Sequence, residues 1–198
     1  MSRILVTGSS GFVGRHLLPL LGDHDVVPCD IETKEVEGPF DGIIHLAAVS
    51  RVRDAEADRI KCLETNILFT AQLLEFKPRW FIFASSCEPS MSIYGYSKRS
   101  AEQYIRIRHS KYIILRFTNI YGPDMAKDKL LMKIRADKTL PIEPEALPFE
   151  YVHVDEAARQ IVAAVREFDK PVFKPYTMKV ASGIAHTIEE LRHVAASY

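Results

Sequence analysis

Met1 to Thr7 is a short apolar run centred on Ile4-Leu5-Val6, and it leads straight into Gly8-Ser9-Ser10-Gly11-Phe12-Val13-Gly14. Arg15-His16-Leu17-Leu18-Pro19-Leu20-Leu21 follows with the pattern of a helix. Strand, glycine-rich turn and helix, in that order, constrain the fold more than any other stretch of the chain. Glycine permits the tight reversal and lets a phosphate approach the main chain. The first N–H groups of a helix have no partner inside it, so the turn makes an anion site. A glycine triplet alone is a weak signal, since an ordinary βα turn uses glycine too. The strand before it and the helix after it supply the context in which the triplet binds a dinucleotide pyrophosphate.

The rest of the chain fits one domain, or one domain with a small appendage, at 198 residues. Short apolar runs at 26–30, 42–48, 80–85 and 112–117, with a further candidate at 178–181, alternate with helical patterns at 54–75, 95–109, 124–137, 154–168 and 187–197. Near-continuous apolar strands separated by helices predict an α/β fold, a Rossmann-type doubly wound parallel sheet covered on both faces. Pro28 predicts an irregular start to the second strand. Thr187 with Glu190 three residues on is a capping box for the last helix. Leu140 to Pro148 is the main irregular stretch.

Several function classes are set aside by composition. Lys and Arg total 26 and Asp and Glu total 26, so no net field recruits nucleic acid. Cys29, Cys62 and Cys87 are odd in number and show no pairing pattern, which points to a reducing cytoplasm. The absence of CxxC and HExxH predicts no zinc. The apolar start is interrupted too soon by glycine for a signal peptide, and no apolar run reaches membrane-spanning length.

Three further constellations carry chemistry. Asp30 ends the second strand sixteen residues after Gly14, where a carboxylate accepts hydrogen bonds from the adenosine ribose and repels a 2′-phosphate. That favours NAD over NADP; a polar strand-end residue is the plainer alternative. Tyr94 and Lys98 are four apart, so on a helix they share a face. An ammonium near a phenol favours the phenolate, which suits the pair to moving a proton at a substrate hydroxyl while hydride passes to or from a nicotinamide. Ser85-Ser86-Cys87-Glu88 stands at the carboxyl end of the fourth strand, where open α/β sheets bind ligands. There a hydroxyl either bonds the reacting oxygen or only caps the next segment.

Thr7-Gly-x-x-Gly-x-x-Gly14, His45-Leu-Ala-Ala48, Ser85-Ser86, Tyr94-x-x-x-Lys98, Arg116-x-x-Asn119-x-Tyr-Gly-Pro123 and Tyr151-Val-His-Val-Asp155 occur in the order seen in the extended short-chain dehydrogenase/reductases. The chain resembles their NAD-dependent epimerase/dehydratase branch, which acts mainly on nucleotide sugars. The resemblance implies a cofactor half at 1–122 and a reduced substrate-side portion at 123–198. It implies that Gly8, Ser10, Gly11 and Gly14 form the pyrophosphate turn, with Phe12 and Val13 supplying N–H groups, and that Asp30 is the ribose acid. Ala47 and Ala48 would pass the cofactor, Lys98 would also hold the nicotinamide ribose, Tyr94 would transfer the proton and Ser86 would bond the reacting oxygen. Asn119 is placed on the substrate side. Glu88, in a Ser-x-Glu pattern, matches the base of the dehydratase and decarboxylase branches; otherwise it is a turn residue before Pro89.

The departures are as informative. Ser86 and Tyr94 are only eight residues apart, where the family usually carries a longer loop. Little room for a strand and helix remains between Asp30 and Asp41, and only Glu32 could stand for the adenine-recognising acid. Phe149 occupies the place of an arginine that grips a nucleotide diphosphate. Arg51, Arg53, Lys127 and Lys129 are candidate substitutes, with a solvated surface charge as the plainer reading of each. Ile60, Leu63, Ile67, Ala71 and Leu74 form an apolar stripe that, by the family pattern, suits a homodimer. The expected function is an NAD-dependent epimerase or dehydratase of a sugar nucleotide or related hydroxy/keto compound. The rivals are an NAD(P)H-dependent reductase of a small carbonyl compound and a non-catalytic NAD-binding sensor or scaffold.

Overall fold

A computed structural model describes residues 1–30, 36–88, 91–127, 129–137, 139–141 and 149–196. Six parallel strands form the main sheet: β1 (Arg3–Thr7), β2 (Asp25–Cys29), β3 (Gly42–His45), β4 (Trp80–Ser86), β5 (Tyr112–Phe117) and, later in the chain, β8 (Tyr176–Val180). Their order is β2-β1-β3-β4-β5-β8. The chain leaves β1 toward one edge and returns on its other side at β3. Between β1 and β3 the connections diverge to opposite faces and open a crevice at the carboxyl ends, where doubly wound sheets bind ligands.

Alternate residues of each strand enter opposite cores, which explains why the strands read as unbroken apolar runs. Ile4, Val6, Ile44, Ile82, Ile113 and Leu115 pack with Leu17 of α1 (Phe12–Leu17) and with Ala157, Ala158 and Ile161 of α7 (Val154–Glu167). Leu5, Ile43, Phe81, Phe83 and Ile114 pack on the other face, against Leu73 and Leu74 of α4 (Phe69–Leu74) and Ala101 and Ile105 of α5 (Ile93–Arg108).

Several elements differ from the sequence expectation, each for a local reason. β2 is regular, and Pro28 lies within it. The Cys29 carbonyl accepts from Gly8 N at 2.8 Å and Asp25 N donates to Ser2 O at 3.0 Å, so residues 25, 27 and 29 bond inward. Pro28 therefore faces the free edge of the sheet, where its missing N–H breaks no ladder and discourages a further strand. The first helix begins earlier, at Phe12, and tightens to a 3₁₀ turn over Leu18–Leu21 around Pro19, which has no N–H for an α-type bond.

The single helix expected over 54–75 is α2 (Val52–Ala57), α3 (Arg59–Leu63), a π-turn (Glu64–Leu68) and α4. Asp58 breaks it by accepting from Lys61 N at 3.0 Å, as an N-cap does. The helix expected over 124–137 is only α6 (Leu130–Ala136). A second small sheet, β6 (Asn119–Tyr121), β7 (Phe149–His153) and β9 (Ala185–His186), was not anticipated. It carries a third core in which Tyr151 packs with Leu131 and Ile134 of α6 and Leu191 of α8 (Ile188–Ala196). The Thr187/Glu190 capping box is formed: Thr187 N donates to Glu190 Oε2 at 2.8 Å and Glu190 N to Thr187 Oγ1 at 3.3 Å. Glu32 and residues 142–148 of the irregular stretch lie outside the described residues.

Candidate active site

The three glycines of the first turn do three different jobs. Gly8 has φ +71°, and a Cβ there would stand 2.7 Å from Ala47 N, so only glycine allows the loop after β3 to cross so closely. A Cβ on Gly14 would stand 2.3 Å from Gly8 O and 2.5 Å from Ser9 O, so this glycine lets α1 pack on the turn. A Cβ on Gly11 would meet only the Gly8 main chain, its oxygen at 3.0 Å; the remaining space is open. Open space at the middle glycine, with the helix start of Phe12 and Val13 beside it, is what an approaching pyrophosphate needs. Asp30 closes the turn from the end of β2, accepting from Ser9 Oγ at 3.0 Å and from Ser10 N at 3.2 Å. The residues present thus fit a dinucleotide.

One cleft of about 1560 Å³ brings the sequence candidates together. It is lined by Gly8, Ser10, Gly11, Phe12, Val13 and Gly14 from the turn, Asp30 from β2, and Ala47, Ala48 and Arg51 after β3. Ser86, Glu88, Tyr94, Lys98 and Asn119 line it as well. Of the four cationic substitutes, Arg51, Arg53 and Lys129 reach this lining and Lys127 does not; Lys133 and Lys179, unremarked in the sequence, do.

Tyr94, Lys98 and β4 meet along one stripe. Tyr94 and Ser86 line the cleft together, and Ser86 favours the ionised form of the Tyr94 hydroxyl. Lys98, 3% exposed, donates from Nζ to Ala84 O at 2.8 Å and lies 4.7 Å above the Phe83 ring. The ammonium is thus held by β4. Its expected support for a Tyr94 phenolate is not what governs the phenol here. Burial pushes Tyr94 up to about 12; Ser86 partly opposes this, and the Glu88 carboxylate adds to it. Burial likewise brings Lys98 down to about 7, against weaker opposition from Cys62 and Glu102. Desolvation outweighs charge pairing at both groups.

Glu88 follows a short connection. Its N–H donates to Ser86 Oγ at 3.0 Å, and its carboxylate accepts from Ser92 Oγ at 3.3 Å, Ser92 being the N-cap of α5. Its carboxylate is therefore tied to the start of the helix that presents Tyr94.

Sequence reasoning missed a polar layer behind these residues. Thr7 Oγ1 accepts from Ala47 N at 3.2 Å, and it donates to His45 Nδ1 at 2.7 Å because Thr70, whose proton goes to Asn66 O, can only accept from the other ring nitrogen. His45 Nε2 then carries the proton and donates to Thr70 Oγ1 at 2.9 Å, which donates to Asn66 O at 2.9 Å. Burial holds His45 well below the usual imidazole range, so it stays neutral. Asn66, on the π-turn, accepts from Val49 N at 2.9 Å and donates to Val49 O at 3.1 Å and Ser97 Oγ at 2.9 Å. It bridges the loop that carries Ala47 and Ala48 to the helix that carries Tyr94. The available signal was Asn66-x-x-x-Thr70, two polar residues one turn apart in an apolar helix.

A family model described as the NAD dependent epimerase/dehydratase family matches residues 4–178. The chain belongs to that family. It is 27% identical over 194 residues to a ceramide reductase of Caulobacter vibrioides, a match covering 82% of this chain and 61% of that protein. It is 25% identical to a putative UDP-glucose 4-epimerase of Methanocaldococcus jannaschii, covering 95% of this chain and 79% of the relative. Among solved structures, MoeE5 in complex with UDP-glucose and NAD superposes with a TM-score of 0.82 at 22% identity, covering 98% of this chain and 81% of that one. This structural likeness extends the doubly wound fold of the family over nearly the whole chain.

Proposed function

We propose that the chain is an NAD-dependent oxidoreductase of the epimerase/dehydratase type, acting on a secondary alcohol or ketone carbon of a nucleotide sugar or related compound. The observation that carries this is that Tyr94, Ser86 and Lys98 line the same cleft as the glycine turn. Gly8, Gly11 and Gly14 would cradle the pyrophosphate and Asp30 the adenosine ribose. When bound, NAD supplies a hydride acceptor whose oxidised ring is cationic. Ser86 orients the substrate oxygen, and Tyr94 takes or gives the hydroxyl proton. A cation near a buried phenol lowers its pKa, so bound oxidised cofactor would raise the share of Tyr94 in the phenolate form that can take the hydroxyl proton. Lys98, neutral or charged near pH 7, sits one turn behind it.

The nucleotide-sugar reading draws on the relatives named for UDP-sugar chemistry and on Arg51, Arg53, Lys129, Lys133 and Lys179 around the cleft. Cationic side chains are what a diphosphate needs once it leaves water. Glu88, which lines the cleft, would act as a second base on a carbon beside a transient ketone. We also infer a homodimer through α3, α4 and α5.

A reductase that consumes cofactor is the second reading. It is favoured by two relatives named as reductases, the ceramide reductase and a UDP-2-acetamido-2,6-beta-L-arabino-hexul-4-ose reductase of Pseudomonas aeruginosa, 28% identical over 177 residues. The test is incubation with UDP-hexoses and small ketones while absorbance of the reduced nicotinamide is followed. Product formed without net absorbance change supports the epimerase/dehydratase reading. Steady consumption of NADH supports the reductase. Binding of NAD with neither outcome overturns both.

A further inference from the structure

The Tyr94/Lys98 stripe does not stop at Lys98. Glu102 is four residues further along α5, so it falls on the same face. The three side chains face three consecutive residues of β4: Tyr94 lines the cleft with Ser86, Lys98 donates to Ala84 O, and Glu102 accepts from Ser85 Oγ at 2.5 Å. Glu102 is 1% exposed. A carboxylate so deep needs partners, and it has three guanidiniums: Arg116 Nε at 2.8 Å and Nη2 at 2.5 Å, Arg99 at 2.8 Å and Arg106 at 3.4 Å. Arg116 comes from β5, so Glu102 ties α5 to the ends of two adjacent strands. Burial pushes its carboxyl upward, but hydrogen bonds from Arg116 and Ser85 outweigh that and hold it charged.

We propose that Glu102 is a positioning residue of the active site, whose clamped carboxylate fixes Lys98 and Ser86 against the end of β4 and sets the charge that Lys98 experiences. Ser85 and Ser86 split the work: one is pinned to Glu102, and the next lines the cleft with Tyr94. The groups that act on Lys98 from the surrounding elements are Cys62 of α3, His45 of β3, the Phe83 ring and Ala84 carbonyl of β4, and Glu102 of α5. Glu102 is the carboxylate in this set. The proposal rests on the functional reading only for what the held lysine is used for.

The experiment titrates Lys98 directly, by NMR of ¹³C-labelled lysine, with the signal assigned from its loss in Lys98→Met. In Glu102→Gln the Lys98 midpoint is expected to fall, because the neutral amide no longer favours the ammonium. In Arg99→Gln, which removes one cation that offsets Glu102, the midpoint is expected to rise. Shifts of opposite sign support the proposal. An unchanged midpoint in both overturns it, even if both variants melt earlier, because a purely structural clamp leaves the titration alone. If Glu102→Gln does not fold, Arg99→Gln decides: a raised midpoint supports the proposal and an unchanged one overturns it. NAD binding by the wild-type chain, measured by calorimetry in parallel, tests the functional reading separately.

Discussion

Gly14 lies directly on Gly8, close enough that a Cβ on Gly14 would stand 2.3 Å from the Gly8 carbonyl oxygen. Both neighbours of that missing Cβ are main chain, so nothing flexible can move aside. Gly14→Ala is therefore expected to spread the turn from α1 and to weaken both folding and NAD binding. If the strain reaches about 2 kcal/mol, the melting temperature falls by roughly 4–8 °C for a chain of this length. Gly11→Ala meets one oxygen at 3.0 Å and is expected to melt closer to wild type while losing NAD affinity, because its Cβ occupies the open space a phosphate would use. Thermal melts and calorimetry on the two variants separate the roles; equal losses of stability would contradict them.

Tyr94 and Ser86 line the same cleft, and Tyr94 is the one proposed to exchange a proton with substrate. Tyr94→Phe keeps the ring and removes the hydroxyl. Hydride transfer is expected to fall by roughly 10²–10⁴-fold, the usual contribution of a positioned acid or base. NAD affinity and melting temperature are expected to stay near wild type. Ser86→Ala is expected to cost less, since Tyr94 remains. Single-turnover rates measured by nicotinamide absorbance check this, and a Tyr94→Phe enzyme at full rate would refute the assignment.

The cofactor side was legible because its requirements are local. Glycine spacing, strand-end position and helical period each act over a few residues, so Gly8 to Gly14, Asp30 and the Tyr94/Lys98 pair can be read from one dimension. The substrate side depends on strands far apart in sequence: Asn119 of β6 pairs with Tyr151 of β7, and neither three-residue Asn119–Tyr121 nor Phe149–His153 shows a period that announces a second sheet. The sense of the Tyr94 and Lys98 shifts was hidden for a related reason. Four-residue spacing says that two groups share a helix face, but not that Ala84 O and the Phe83 ring take the ammonium, nor how dry the pair becomes. Asn66 and Glu102 likewise read as ordinary helix polars until β4, β5 and the loop at Val49 are folded against them.

Lys98 makes stability depend on pH in a defined direction. Its folded-state pKa of about 7 lies below the ordinary 10.5. Between those values the unfolded chain holds a proton that the folded chain has lost, so the lysine's contribution favours folding increasingly as pH rises from 7 to 10.5. Below 7 the full cost of burying the ammonium is present. Lys98→Met, similar in length and uncharged, is expected to melt higher than wild type at pH 6, with the advantage shrinking toward pH 9.5. Tyr94 works oppositely, but only above its ordinary value near 10, because the folded phenol keeps its proton up to about 12. Melting curves from pH 6 to 9.5 isolate the lysine; an advantage that grows with pH would show the burial argument to be wrong.

The stripe on α3 and α4 was expected to leave apolar surface uncovered, and part of it does. Ile60 is 66% exposed, Leu63, Ile67 and Ala71 are half-buried, and Leu74 is buried under the sheet-facing side. Leu68 at 54% exposure adds to this surface, as do Tyr96 at 54% and Ile107 at 79%, eleven residues apart on one face of α5. Exposed apolar side chains gathered on neighbouring helices suit association with a second copy. Ile60→Glu and Ile107→Glu place a charge where the isolated chain already meets water, so neither costs the monomer its fold. Each is expected to convert a dimer to a folded monomer in sedimentation velocity, with the melting temperature becoming independent of protein concentration. A wild-type chain that sediments as a monomer at every concentration would remove the dimer, and with it the reason for apolar residues at these positions.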